Sequence, residues 1–147
     1  MNSSIFLLDN SVTQRIHRSE TVAAAVVQLL DAGDLGSCLP QLLEEGYSAQ
    51  SARQHHLLMD ASRRARIFLP PDEEVAALAL GLQSRLFDAG IGRSVGVSDL
   101  QIAATAVRHT TDRRRVTVVH YDADFERVAD VEPSFSHRWI VPRGSVD

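Results

Sequence analysis

The sequence predicts an α/β sandwich with a mainly parallel central sheet, and three observations predict it. Short aliphatic or β-branched runs alternate with longer stretches of helical periodicity, in the order strand, helices, strand, helix, strand. The first run, Ile5-Phe6-Leu7-Leu8, is continuously apolar, as in a strand buried on both faces. Acids stand just beyond the two clearest runs, Asp9 after the first and Asp122 after Val116-Thr117-Val118-Val119 by way of His120 and Tyr121. In an open parallel sheet the ligand crevice lies beyond those strand ends.

In chain order, residues 5–8 are too short for a helix and end at Asp9-Asn10-Ser11, which are turn and cap residues. Ser19 reads as the N-cap of a helix carried by Val22, Val26, Val27 and Leu30 and stopped near Gly33. Residues 36–39 read as a short strand. Pro40 suits the first turn of one long helix reaching about Ser62, and Ile67-Phe68-Leu69 is either a brief extended piece or a loop. Pro70-Pro71-Asp72-Glu73-Glu74 opens a helix with proline and then acids against its dipole. Its apolar stripe is Val75, Leu78, Ala79, Leu82 and Leu86, and Gly90 ends it. Ser98 and Gln101 fit a capping box for a helix reaching about Thr110. Residues 116–119 then read as a strand, 122–131 as a short helix, and 138–141 as a closing strand stopped by Pro142. No repeat, linker or low-complexity tract divides the 147 residues, so one domain, 1–147, is expected.

Composition narrows the function classes. The 44% hydrophobic content is that of an ordinary globular chain, and no stretch approaches the roughly 20 apolar residues of a membrane helix. The opening residues have no basic region and reach an acid at Asp9, unlike a secretory signal. The single cysteine, Cys38, rules out an internal disulfide and is expected in the core; a cytoplasmic location is expected. A net charge of −4 argues against a non-specific nucleic-acid binder, though not against a nuclease whose own site is a cluster of carboxylates. All 15 basic residues are arginine, which reflects the codon bias of a GC-rich genome more readily than a preference for the phosphate-binding fork.

The residues able to carry chemistry are carboxylates. Asp9 and Asp122 follow strands, where an acid either caps the next helix or lines the crevice. Asp99 lies opposite the polar stripe of Gln101, Thr105, Arg108 and Asp112, in line with Ile102, Ala103 and Ala106, so it faces the protein body. A buried carboxylate needs a partner or a metal; the alternative is a first-turn acid favoured by the helix dipole. Glu44 lines up with Ser48, Ser51 and His55 on a helix, and spacing alone does not choose between Glu44 and Glu45. Four converging carboxylates would form a hard all-oxygen site suited to Mg2+ or Mn2+, the kind of site that supports phosphodiester hydrolysis. The six histidines lack zinc-site spacing, and no glycine-rich phosphate loop is present. Arg113-Arg114-Arg115 suits RNA phosphate or a solvated turn, and Ser11 either holds groups near Asp9 or caps the following helix.

At this point the residues resemble a family. Phe6-Leu7-Leu8-Asp9-Asn10-Ser11 looks like the hydrophobic run and D-x-S opening of PIN domains. Leu42-Leu43-Glu44-Glu45-Gly46-Tyr47-Ser48-Ala49 resembles the second-acid stretch of VapC-type toxins, which places that acid at Glu44, two residues before the Gly-Tyr-Ser-Ala run. Ser98-Asp99-Leu100-Gln101-Ile102-Ala103-Ala104-Thr105-Ala106 resembles the third-acid helix. His120-Tyr121-Asp122-Ala123-Asp124-Phe125 resembles the fourth-acid segment, and Trp139-Ile140-Val141-Pro142 the closing strand. Asn10 and Glu45 depart from the common pattern without removing a ligand. The resemblance runs from residue 5 to about 144. It implies a PIN-like three-layer sandwich, RNA cleavage dependent on Mg2+ or Mn2+, and a metal site of Asp9, Glu44, Asp99 and Asp122, with Asp124 as a further ligand in a lesser role. It also implies a homodimer, a VapB-like antitoxin and an RNA substrate of the tRNA or rRNA class. The competing readings are a PIN nuclease of RNA processing or DNA, and a PIN-like binding module without catalysis.

Overall fold

The computed structural model describes residues 2–147. Five strands, β1 (Ser3–Leu8), β2 (Asp34–Ser37), β3 (Ile67–Phe68), β4 (Arg114–His120) and β5 (Ser136–Trp139), form one sheet in the order β3-β2-β1-β4-β5. Every neighbouring pair is parallel. Among the described residues seven helices connect them: α1 (Asn10–Thr13), α2 (Glu20–Ala32), α3 (Leu39–Tyr47), α4 (Ala52–Ala65), α5 (Glu73–Asp88), α6 (Val97–His109) and α7 (Asp124–Val131).

The period-two geometry of β1 divides the core into two layers. Ile5 and Leu7 join Val116 and Val118 against Leu82, Leu86, Ile102, Ala103, Phe125 and Val128, under α5, α6 and α7. Phe6 and Leu8 join Val119 against Val12, Val22, Leu29 and Ile140, under α1 and α2. The result is helix, sheet and helix in three layers. Gly36 fits its backbone between strands: a Cβ there would stand 2.6 Å from Ile5 Cγ2.

The chain leaves β1 toward β2 and β3 on one side and returns to β4 on the other, so the winding reverses between β1 and β4. That switch point opens a crevice past their carboxyl ends. Both candidate acids after strands, Asp9 and Asp122, lie there.

Several boundaries differ from the sequence reading. The single helix expected from Pro40 to about Ser62 is two, broken between Tyr47 and Ala52, because Ser51 is extended and its side chain accepts from Gln54 N, starting a fresh helix. Glu44, Ser51 and His55 are therefore not one strip of one helix. Helix α6 starts earlier than the Ser98 capping box required: extended Gly96 is its N-cap, and Gln101 Nε2 donates back to Val97 O. Thr105, expected on the polar face, is buried and satisfies its hydroxyl on Gln101 O at 2.8 Å. The strand expected at 36–39 is displaced toward the amino end, as β2, and the one at 138–141 likewise, as β5; their registers are set by pairing with β1 and β4. Residues 67–68 are an edge strand. Cys38 is buried, as expected, and burial pushes its thiol up to about 12, so it is inert. No helix among the described residues is long and apolar enough to cross a membrane.

Candidate metal centre

Strand β1 delivers Asp9 directly into the crevice. Its amide is still bonded to Val119 O, and its Oδ2 accepts from Ser11 N at 3.1 Å, so the residue caps the short helix α1. Capping uses only one oxygen. Asp9 is 4% exposed, and its Oδ1 is buried without a hydrogen-bond partner. Burial raises its pKa against the opposing bonds from Ser11, and the charges of Glu44 and Asp122 add to the rise.

Two side chains pin the turn after β4. Ser11 Oγ accepts from Tyr121 N at 2.8 Å, and His120 Nδ1 accepts from Asp122 N at 3.2 Å. Asp122 Oδ1 in turn accepts from Asp124 N at 2.9 Å. Helix α7 therefore begins under the Asp122 carboxylate, and Asp124 does not cap it.

Helix α6 contributes Asp99 from its first turn. One oxygen each of Asp99, Asp122 and Asp124 lie within 4.8 Å of one another. Burial first, then the charges of Asp9, Asp122, Glu44 and Asp124, pushes Asp99 up to about 8. Asp124 is also raised by burial and by Asp122, against the pull of Arg127, whose Nη1 donates to its Oδ1 at 2.6 Å.

Helix α3 brings Glu44 to the rim, where its charge bears on both Asp9 and Asp99. Glu45 points elsewhere: Arg66 Nη1 donates to both its oxygens, at 2.8 and 3.0 Å, in a largely buried pair. Gln41 fixes the helix to the strand that carries Asp9. It is 1% exposed, its Oε1 accepts from Cys38 N, and its Nε2 donates to Leu8 O at 2.5 Å. The sequence reading passed over Gln41 and gave His120 no role beyond the motif. Gln41 stands three residues after Cys38, the spacing of a capping box with cysteine in the serine position.

The structure thus brings Asp99, Asp122 and Asp124 into one tight group, with Asp9 and Glu44 beside it. Arg113-Arg114-Arg115 does not join them: it lies at the amino end of β4, with Arg114 donating to His109 O.

An all-carboxylate donor set with one buried oxygen unpartnered and one acid pushed well above the usual carboxylate range by burial and its neighbours' charges fits a hard divalent cation. Asp9, Asp99, Asp122 and Asp124 supply oxygens from four positions, with Glu44 at the rim, and the only cation bonded to any of these carboxylates among the described residues is Arg127 on Asp124.

Comparison with known proteins bears on the family and the fold. The PIN domain family profile matches residues 6–131. Ribonuclease VapC21 of Mycobacterium tuberculosis is 35% identical over 140 residues, covering 95% of this chain and 96% of that protein. Ribonuclease VapC51 of the same species is 37% identical over 147 aligned residues, covering 97% of each. Among solved structures, VapBC2 from Rickettsia felis bound to a promoter DNA fragment superposes with a TM-score of 0.70 at 16% identity, covering 91% of this chain and 97% of that one. VapBC-1 from nontypeable Haemophilus influenzae gives 0.70 at 20% identity, covering 92% and 98%. The fold, the match over most of the length and the two ribonuclease relatives lead to one conclusion: the chain belongs to the PIN-domain family, among the VapC ribonucleases.

Proposed function

We propose that this protein is a metal-dependent endoribonuclease toxin, formed by one domain spanning 1–147, that hydrolyses RNA and arrests growth when its antitoxin is absent. The observation that carries the metal-dependent site is the unpartnered buried Oδ1 of Asp9 beside the converging carboxylates of Asp99, Asp122 and Asp124. Such an oxygen is expensive to bury unless a cation meets it. Asp9, Asp99 and Asp122, with Glu44 at the rim and Asp124 in a lesser role, would hold Mg2+, or Mn2+ in its place. Bound there, the ion would lower the pKa of a water and offset charge on the scissile phosphate.

The chain's own residues do the rest. Ser11 and His120 hold the Asp122 turn, Gln41 ties the Glu44 helix to the Asp9 strand, and Asp99, raised by burial and its neighbours' charges, would be ionised when it held a cation. Arg127 keeps one cation within reach of the group through Asp124.

The relatives named as ribonucleases support RNA as the substrate, and the VapBC complexes support a VapB-like antitoxin as partner; a tRNA or rRNA class of substrate and a homodimer belong to the same reading through the family resemblance alone. Crowded carboxylates attract a guanidinium as they attract a metal, so an antitoxin arginine suits inhibition at this site. The test is cleavage of total RNA by purified protein, mapped by RNA-end sequencing. Cleavage should stop in EDTA and return with Mg2+ or Mn2+, and Asp9→Asn and Asp122→Asn should be inactive. Full cleavage in EDTA overturns the mechanism.

A further inference from the structure

The last residue of β4, His120, is 0% exposed and is not one of the proposed metal-holding acids. Its ring stacks on His137, with centroids 5.1 Å apart, and packs against Phe125 at 4.9 Å and Trp139 at 5.0 Å. Such surroundings would suit a phenylalanine. The two ring nitrogens, however, are both engaged. Nδ1 accepts from Asp122 N at 3.2 Å, and Nε2 stands 2.9 Å from His137 Nδ1.

These contacts determine the tautomer. The Asp122 amide only donates, so Nδ1 must be bare, and an imidazolium would set donor against donor. The proton is therefore on Nε2, which donates to His137 Nδ1. That nitrogen must be bare as well, which places the proton of a neutral His137 on its Nε2. The backbone amide of one acid thus sets the tautomers of two histidines.

We propose that His120 is a positioning residue for the metal centre: its fixed tautomer holds the Asp122 amide inward and so aims the Asp122 carboxylate, with the Asp124 amide it accepts from, toward Asp99. The proposal rests on the metal-site reading above. Tyr121 N is taken by Ser11 Oγ one residue earlier, so both amides after the strand end on side chains, and the turn has a single orientation. A group that orients a metal ligand through a hydrogen bond typically changes metal affinity by about ten- to a hundred-fold when removed.

Two substitutions separate this role from packing. His120→Phe retains the ring and removes the acceptor. His120→Asn abandons the ring, but its Oδ1 stands one bond beyond Cγ, as Nδ1 does, and retains the acceptor. Mn2+ affinity is read by electron paramagnetic resonance and thermal stability by calorimetry. His120→Phe should keep the higher Tm yet bind Mn2+ about ten-fold or more weakly; His120→Asn should melt lower yet bind within about three-fold of wild type. On the unsubstituted metal-free protein, nitrogen-15 NMR of the histidine rings should show His120 neutral and protonated at Nε2. Affinity that merely follows Tm across the two variants, unchanged affinity in His120→Phe, or a proton on Nδ1 overturns the positioning role alone. A wild-type protein that binds no Mn2+ overturns the metal site, and this proposal with it.

Discussion

Replacing Asp99 by Asn should make the metal-free protein more stable while abolishing its proposed activity. The carboxyl is held at about 8 in the folded chain against 3.8 for an unperturbed aspartate. This is the reverse of the usual carboxylate case. Well below pH 3.8 the group is protonated in both states and contributes nothing. As pH rises through 3.8 the unfolded chain gives up its proton while the folded chain retains it. Stability therefore falls progressively until the folded carboxyl ionises near 8. At about 1.36 kcal/mol per pH unit the penalty at pH 7 is a few kcal/mol, and solvent screening at this half-buried position trims it to about 1–3 kcal/mol. Asparagine has the shape of the protonated acid and does not titrate, so Asp99→Asn should recover that amount at pH 7 and only a small fraction of it at pH 4. The assay is urea unfolding of both proteins in EDTA at the two pH values, repeated at pH 7 with saturating Mn2+. With the metal, the order should invert, because binding stabilises only the protein that retains the site. A variant no more stable than wild type at pH 7 in EDTA refutes the argument that burial and the neighbouring acids penalise the Asp99 carboxylate.

Three further outcomes follow from particular contacts. Glu44→Gln should lower RNA cleavage far more than Glu45→Gln, whereas Glu45→Gln, which weakens the bond pair from Arg66, should cost about 1–3 kcal/mol of stability; equal activity losses in a cleavage assay would place the wrong glutamate at the rim. Asp122→Asn should be inactive and Asp124→Asn only impaired, since Asp122 carries the amide of Asp124 and Asp124 is shared with Arg127; the same assay showing the reverse ranking refutes the order. Gly36→Ala should destabilise by about 1–3 kcal/mol, because its Cβ would stand 2.6 Å from Ile5 Cγ2; an unchanged melting temperature would mean β1 and β2 are less tightly joined than described.

The sequence carried the sheet and the places of the acids because both depend on short-range patterns. An apolar run that ends in Asp9 reports a strand and its carboxyl end in five consecutive residues. The inward direction of Asp99 follows from its spacing to Ile102, Ala103 and Ala106, all buried in the structure. The break between α3 and α4 was also written locally, in Ser51, but residues 40–62 contain no proline or glycine strong enough to force it beyond Gly46, and helical spacing continued plausibly across it. The choice between Glu44 and Glu45 was different in kind. The residues themselves left it open; only the family resemblance chose Glu44, and the structural contrast comes from Arg66, which engages Glu45 from 21 positions away. Gln41 likewise reaches back 33 positions to Leu8 O, and Ser11 forward 110 to Tyr121 N. The last two bonds tie the α3 and α1 segments to the ends of β1 and β4, and all three end on a group that no periodic pattern announces. A crevice of like charges would otherwise push its walls apart, so the segments that supply the acids need neutral ties to the sheet; Gln41, Ser11 and His120 are all uncharged, and each bonds to the backbone at a strand end. The acids can therefore be read as a motif, while the residues that keep them together are legible only once the strands that present them are in register.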